Sequence, residues 1–422
     1  MIFILYLLIH TCFANTIYLH PKQGTTSKIA IDNGIMFYNT IQNALPSDRI
    51  ILNENDNMYF IPYNILNNLN NITIELNGNI IVHDNINAWY FNNETQSYLN
   101  IIDIRNSTNI TITQDTENGI IDGQGYNWWN DFFYGKISRE RPTLLYLENC
   151  INVNISHLTL LNGPRFHIYG KNILYFNIQY ITVWVEPHNM FPFNTDGIDV
   201  SGKYINIRDC MISNYDDAIC IKPADYNTPS LNGINMSCTE NILIDNIYVY
   251  KGVGLSVGSV ASTKQHCIRN VVYKNIVADD PIKFIYIKTG NQHDATTVQG
   301  TIENITYYNM SANDALLWPI YIGPQQQKEP DGTGDGIWPH VNPYVQIRDI
   351  FIVNINIKMK THYNAYGVLR CGYENPCTNF QFKSVKIKDN NKKIICSNKG
   401  TIIGTYDANT KPNMKECGLS LV

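Results

Sequence analysis

Eight short segments of one pattern recur between residues 152 and 385, and they restrict the fold more than anything else in the chain. They are NVNISHL (from Asn152), NILYFNI (Asn172), YINIRDC (Tyr204), NILIDNI (Asn241), NVVYKNI (Asn270), NITYYNM (Asn304), DIFIVNI (Asp349) and NFQFKSV (Asn379). In each, an apolar residue follows the first position, another comes two later, and a polar residue precedes a further apolar one. Alternation at period two marks a strand, because successive side chains point to opposite faces. The starts lie 20, 32, 37, 29, 34, 45 and 30 residues apart, so the variable length belongs in turns between strands. A leucine-rich solenoid is the nearest competitor. Its units are Leu-rich and mostly carry a helix, whereas these are rich in Ile, Val and Tyr without helical period. The expected fold is all-β: a single-stranded, right-handed parallel β-helix, one domain over residues 15–422, with asparagines stacked at its corners.

Upstream, Phe37, Ile41, Ala44 and Leu45 fall on one helical face. This predicts a helix over 35–45, capped by Asp32 and ended by Pro46, that closes one end of the solenoid. Residues 1–14 (MIFILYLLIHTCFA) are apolar, end in a small residue and are too short to cross a bilayer. They read as a secretory signal, although no Lys or Arg precedes the apolar run. An extracellular protein without a membrane anchor follows. Eight Asn-x-Ser/Thr sites (Asn71, Asn93, Asn106, Asn109, Asn154, Asn235, Asn304, Asn309) suit an exported glycoprotein, some of them by chance.

The net charge of −5 and the lack of a basic run argue against nucleic acid as a partner. Nine cysteines remain beyond Cys12, an odd number that predicts one free thiol or one intermolecular bond. Cys371–Cys377 and Cys396–Cys417 are expected pairs. No Cys-x-x-Cys is present, and Asp331 and Asp335 lack a Glu at calcium-loop spacing, so no metal or other cofactor is expected. The histidines His167, His188, His266, His293 and His340 are scattered and read as satisfied corner or surface residues. Trp128 and Trp129 read as core.

Two acidic pieces, NTDGIDVSG (Asn194 to Gly202) and NYDDAICIK (Asn214 to Lys222), each follow an alternating aliphatic run. Asp-Gly and Asn-Thr-Asp are also ordinary turn chemistry. If instead Asp196, Asp216 and Asp217 converge, their mutual repulsion keeps at least one protonated near neutral pH. Such a set suits glycoside hydrolysis, which needs one acid for the leaving oxygen and a carboxylate for the water. Asp199 reads as a turn or supporting residue. The segments AICIKP, LSVGSV, IYIKTG and PIYIGP align as successive rungs, which places the Asp pair, the Gly252–Gly254 turn and Lys288 along one grooved face suited to a polymer. Lys222, the last residue of its rung, is a candidate to bind an acidic sugar.

With IDGQGYNWW (Ile121 to Trp129), RPTLLYLENC (Arg141 to Cys150), LLNGPRFHI (Leu160 to Ile168), the two acidic pieces, the Gly-x-Gly turn and the Ile-Lys-Thr segment in this order, the chain resembles the polygalacturonase-like enzymes of glycoside hydrolase family 28. The resemblance covers nearly all of residues 15–422. It implies a pectin-lyase-like solenoid, hydrolysis of galacturonate-containing pectic polysaccharide with inversion, and no metal; a monomer is expected. Residue by residue, it implies Asp216 as general acid, with Asp196 and Asp217 holding and deprotonating water. It implies Asn194 as support, Gly254 at the substrate turn, and Lys288 pairing with a substrate carboxylate. For an inverting pair the carboxyls are expected about 6.5–9.5 Å apart. Two positions depart from the pattern: Val253 stands where the family has His, and Tyr286 where it has Arg. A phenol does not replace a bidentate guanidinium, so Tyr286 is expected to stack on a sugar face. Similar losses in the rhamnogalacturonan-cleaving branch imply an altered sugar. A polysaccharide lyase and a non-catalytic carbohydrate-binding β-helix are the alternatives.

Overall fold

The computed structural model describes residues 14–422 except 117, 139, 190, 226, 263–265, 291–299, 326–340, 361–364, 373–374, 389–392, 397–400 and 412–413. The expected signal segment, apart from Ala14, and His293, Asp331, Asp335 and His340 therefore lie outside the described residues. Among the described residues no helix is long and apolar enough to cross a membrane.

The chain coils so that every rung pairs in parallel with the rungs before and after it, forming a parallel β-helix. Inward residues stack in unbroken files: Ile110, Val153, Phe176, Ile205, Ile242, Val271, Ile305, Ile350 and Phe380 follow one another in register. All are buried, and each aliphatic side chain so placed contributes about 2 kcal/mol relative to exposure. The stacked rings of Tyr273 and Tyr307, 4.9 Å apart and 6° from parallel, continue the same logic.

The recurring asparagines have a backbone cause. The first position of every repeat unit has φ between +53° and +62°, the left-handed region that Asn tolerates better than most residues. A second corner follows five residues later, at Asn246, Asn275, Asn309 and Asn354 among others, again with positive φ. Their side-chain amides also hydrogen-bond from rung to rung, as in Asn304 Nδ2 to Asn270 Oδ1 at 2.8 Å. One unit is offset: Ile151 pairs with Leu174 and Val153 with Phe176, so Tyr175 rather than Asn172 occupies the equivalent corner. There it stacks on Tyr204, the other corner tyrosine, at 5.2 Å.

The N-terminal helix, α1, spans Ser27–Gln42 and not 35–45. Its buried face is Ala30, Asn33, Gly34, Phe37 and Ile41, and the Asn and Gly on that face hide the helical period from a hydropathy reading. Gly34 is required because a Cβ there would lie 1.9 Å from the Ile61 carbonyl oxygen. The cap is Thr26, whose hydroxyl accepts from the Ile29 N–H at 3.3 Å. Asp32 lies within the helix and pairs with Lys22. Thr26→Ala should therefore cost about 1 kcal/mol, read as a lower thermal midpoint, whereas Asp32→Ala should barely move it.

Three disulfides are present among the described residues: the two expected, Cys371–Cys377 and Cys396–Cys417, and Cys238–Cys267. The odd count resolves into three buried thiols, Cys150, Cys210 and Cys220, rather than one. Trp128 and Trp129 lie on a second helix, α2 (Tyr126–Phe133), and are buried as core.

Candidate active site

One sheet of the solenoid carries the site. Its outward file runs Asp103, Tyr146, Tyr169, Asp199, Cys220, Ser256, Tyr286, Tyr321. Asp217 pairs with Gly254 on the next rung, as the sequence alignment of rungs predicts. Asp196 immediately precedes the strand Ile198–Asn214, and Asp216 the strand Asp217–Ile221, so both acidic pieces end at the same corner. Asn214 ties the two together: its amide donates to the backbone carbonyls of Thr195 (2.9 Å), Asp216 (3.1 Å) and Asp217 (2.8 Å). Gly197 N–H adds a bond to the Asp217 carbonyl.

The result is a carboxylate cluster. One oxygen from each of Asp196, Asp216 and Asp217 lies within 4.8 Å of the others. These are nearest-oxygen separations, a shorter measure than the about 6.5–9.5 Å between whole carboxyl groups of an inverting pair, and they are short because the three members share one corner. Asp196 and Asp217 are buried, and Asp216 is the partly open member, the one a substrate can reach. Asp216 Oδ2 accepts from the Asn194 N–H at 2.9 Å and its Oδ1 from the Asp217 N–H at 2.9 Å. Asn194, with φ of +58°, is anchored in turn by Arg141, whose Nη2 donates to Asn194 Oδ1 at 3.2 Å.

Burial, then repulsion from Asp217, raises the Asp216 pKa above the usual carboxylate value. Burial and the charges of Asp216 and Asp199 push Asp196 well up. Asp217 goes the other way, to about 2. It too is buried, but Lys288 and Lys222 outweigh that cost. Lys288 Nζ lies 2.5 Å from Asp217 Oδ2, and Ser256 donates its hydroxyl to Asp217 Oδ1 at 2.5 Å. The cluster thus favours charge on Asp217 and sharing of one proton between Asp196 and Asp216. Asp196 Oδ1 has no hydrogen-bond partner among the described residues, which leaves a buried acceptor for water.

The structure places the expected site residues unevenly. Asp196, Asp216, Asp217, Asn194, Lys222 and Lys288 come together. Lys288, however, is 1% exposed and committed to Asp217, not presented to a substrate carboxylate. Lys222 Nζ sits 3.2 Å from Asp199 and 4.0 Å from both Asp196 and Asp217. Asp199 is a buried strand residue, not a turn, and desolvation lifts its pKa to about 6. Gly254 acts through backbone: its φ is +87°, and a Cβ would meet the Lys283 carbonyl oxygen at 2.3 Å. Tyr286 is not an open sugar platform. It is 1% exposed, packed with Trp318 and Tyr321 in a cluster that Val253 joins, with Lys283 Nζ 3.9 Å from its ring centroid.

His167, expected to be a satisfied corner or surface residue, is satisfied but not at the surface. It is fully buried behind Asp196, with Nδ1 2.9 Å from the Asp196 carbonyl oxygen and Nε2 accepting from the Gly163 N–H at 3.1 Å. Burial depresses its pKa to about 4, so it is neutral, and these partners assign the proton to Nδ1. Ser256 was unmarked by sequence reasoning. Its signal was the alternation of LSVGSV, which points it outward beside Asp217.

A parallel β-helix bearing a corner of three carboxylates, a buried lysine and a half-buried one defines a class of solenoid with acid–base capacity. The chain belongs to the glycosyl hydrolases family 28, whose family model matches residues 61–405. It is similar to a probable endo-xylogalacturonan hydrolase A of Aspergillus flavus (30% identity; 50% of this chain, 48% of the relative). It is also similar to a probable polygalacturonase of Vitis vinifera (40% identity; 46% and 38%). The aligned stretch spans about half the length of the first relative. Among solved structures, the endo-xylogalacturonan hydrolase of Aspergillus tubingensis superposes with a TM-score of 0.72 at 19% identity, covering 96% of this chain and 98% of that one. A polygalacturonase from Erwinia carotovora gives 0.65 at 19%, covering 91% and 96%. These likenesses carry the fold.

Proposed function

We propose that the protein is an exported glycoside hydrolase that cleaves galacturonate-containing pectic polysaccharide by single displacement. The observation that carries this reading is the split of the cluster into a partly open Asp216, whose pKa is raised, and an Asp217 clamped by Lys288 and Ser256, whose pKa is lowered. Asp216 gives its proton to the leaving glycosidic oxygen as the bond to the anomeric carbon breaks. With the shared proton on Asp216, Asp196 is ionised; a water held by Asp196 Oδ1 and Asp217 attacks that carbon and passes its proton to Asp196. Asn194 and Asn214 keep the carboxyls in place, and His167 fixes the Asp196 backbone. Family membership and the names of the similar proteins support the pectic substrate class. The disulfides support export, since such bonds persist in oxidising compartments.

A lyase on the same solenoid is the second reading, because three carboxylate oxygens within 4.8 Å could hold a cation. Against it, Lys222 and Lys288 already supply two positive charges at that spot, and a divalent ion beside them would be repelled. Polygalacturonan, xylogalacturonan and rhamnogalacturonan, each incubated with the full chain, separate the readings. New reducing ends without ultraviolet-absorbing product, unaffected by a chelator, are expected from at least one. Metal-dependent, unsaturated product would establish the lyase, and glycan binding without any cleavage would establish a binding module.

A further inference from the structure

The charge of the chain is unevenly spread. Residues 356–422 carry eleven Lys and Arg against four Asp and Glu, a formal +7, whereas residues 1–355 carry twenty against thirty-two, a formal −12. The coil gathers part of this excess. On the strand Cys377–Lys388, Lys386 and Lys388 alternate with the buried Ile387 and so stand on one outward face. Lys386 lies beside Asn356 and Lys388 beside Lys358 on the preceding rung, and Lys411 follows Lys386 on the next. Rungs are about 4.8 Å apart, so the four lysine Cα positions share a patch about 10 Å across. The same outward file carries no charge upstream, where it runs through Met211, Tyr248, Val277 and Ser311 to Asn356.

An open hollow of about 530 Å³ lies at this patch, lined by Asn354, Asn356, Ser384, Lys386, Lys388 and Asn409. Amides, a hydroxyl and ammonium groups are donors, and no carboxylate is among them. Lys358 pairs with Asp314, while the exposed Lys386, Lys388 and Lys411 pair with no carboxylate among the described residues. Asp407, on the neighbouring turn, is spent on Ser384 and Thr410. Lysines on an edge strand also keep one sheet from stacking on another. Lys386, however, has a rung on either side and is not at an edge. The patch lies off the catalytic sheet. That sheet reaches this end of the coil at Lys393–Cys396, five rungs from Asp217–Ile221, or about 24 Å.

We propose that this basic end is an anchoring surface for acidic polysaccharide, separate from the catalytic sheet, which holds the protein on its polymer while another stretch of chain is cleaved. It rests on the acidic-polysaccharide reading above. A protein of net negative charge and a polyanion repel each other, and attraction survives only where local positive charge lies within about 10 Å of the polymer at 0.1 M salt. Lys386, Lys388 and Lys411 supply that charge to the sugar carboxylates. The amides of Asn354, Asn356 and Asn409 serve the hydroxyls between them.

The test uses the full chain carrying Asp216→Asn, so that polymer is not consumed, and measures its retardation by polygalacturonan in native electrophoresis at low and high salt. Added Lys386→Gln with Lys388→Gln should weaken binding about tenfold at low salt, the worth of two exposed charge contacts, and should change little at high salt. Lys386→Arg with Lys388→Arg should keep the binding, which a packing defect would not allow. With Asp216 intact, the double Gln substitution should leave kcat/KM unchanged for oligomers too short to reach from the catalytic sheet to the patch, and lower the rate on a pectate gel severalfold. Retardation that is absent, or that the double substitution leaves unchanged, would overturn the anchor and leave the catalytic reading intact. So would tighter binding to phosphatidylserine vesicles than to polygalacturonan, or an equal rate loss on short oligomers and gel. Retardation lost on the double substitution, in a protein that cleaves no galacturonan with Asp216 intact, would keep the anchor and remove the catalytic reading.

Discussion

Asp216→Asn should lower the hydrolytic rate about a thousandfold, within the range usual for loss of a general acid, while the protein remains folded. Asp216 is the partly open carboxyl of the cluster, and burial and repulsion from Asp217 raise its pKa in the direction that favours the proton the leaving oxygen requires. An amide has the same shape but no proton of suitable acidity to give. Stability should move little because two changes oppose each other. One of the two backbone N–H groups that Asp216 accepts, from Asn194 and Asp217, loses its acceptor, at about 1 kcal/mol. Repulsion with Asp217 is removed at the same time. Reducing-end assays paired with a thermal midpoint check both halves. A large fall in the midpoint would mean that the rate loss reports unfolding rather than chemistry.

Lys288→Met should be the most destabilising single change in the site, by about 3–5 kcal/mol, because it strands a buried carboxylate. Lys222, 4.0 Å away, replaces only part of the lost charge. The pH dependence should invert. In the native protein Asp217 is held near 2, below its ordinary value of 3.8. Its contribution is therefore present above about pH 4 and is lost as pH falls toward 2. Without the ammonium, burial dominates and raises the Asp217 pKa, so this group's effect worsens as pH rises. Thermal midpoints should show the gap between native and variant widening from acid to neutral pH. A gap constant with pH would mean that Lys288 acts by packing alone.

Much of the architecture was legible because a coiled ribbon repeats its demands. Every repeat begins at a corner that needs positive φ, so Asn recurs there, and the alternating aliphatics behind it are the stacked core files. The convergence of the acidic pieces followed from rung alignment, since Asp217 does fall beside Gly254. What was not legible depends on which side chain meets which across distant rungs. Lys288 and Asp217 are 71 residues apart, Ser256 and Asp217 39, His167 and Asp196 29. Alternation gives the face of each, but not whether an ammonium turns to a neighbouring carboxylate or to the groove. Tyr286 shows the same limit: its file position is outward, yet Trp318 and Tyr321 cover it. The helix boundary failed for a local reason, because Asn33 and Gly34 are buried where an apolar pattern would demand larger aliphatics.

The most direct test is a short digest of polygalacturonan and xylogalacturonan in water enriched in heavy oxygen, read by mass spectrometry before the new ends exchange with solvent. Activation of water by Asp196 and Asp217 predicts one heavy oxygen at each new reducing end and none when Asp216 is replaced by Asn. Chain ends that form without the label, or labelled ends that persist at full rate in the Asp216→Asn protein, would contradict it.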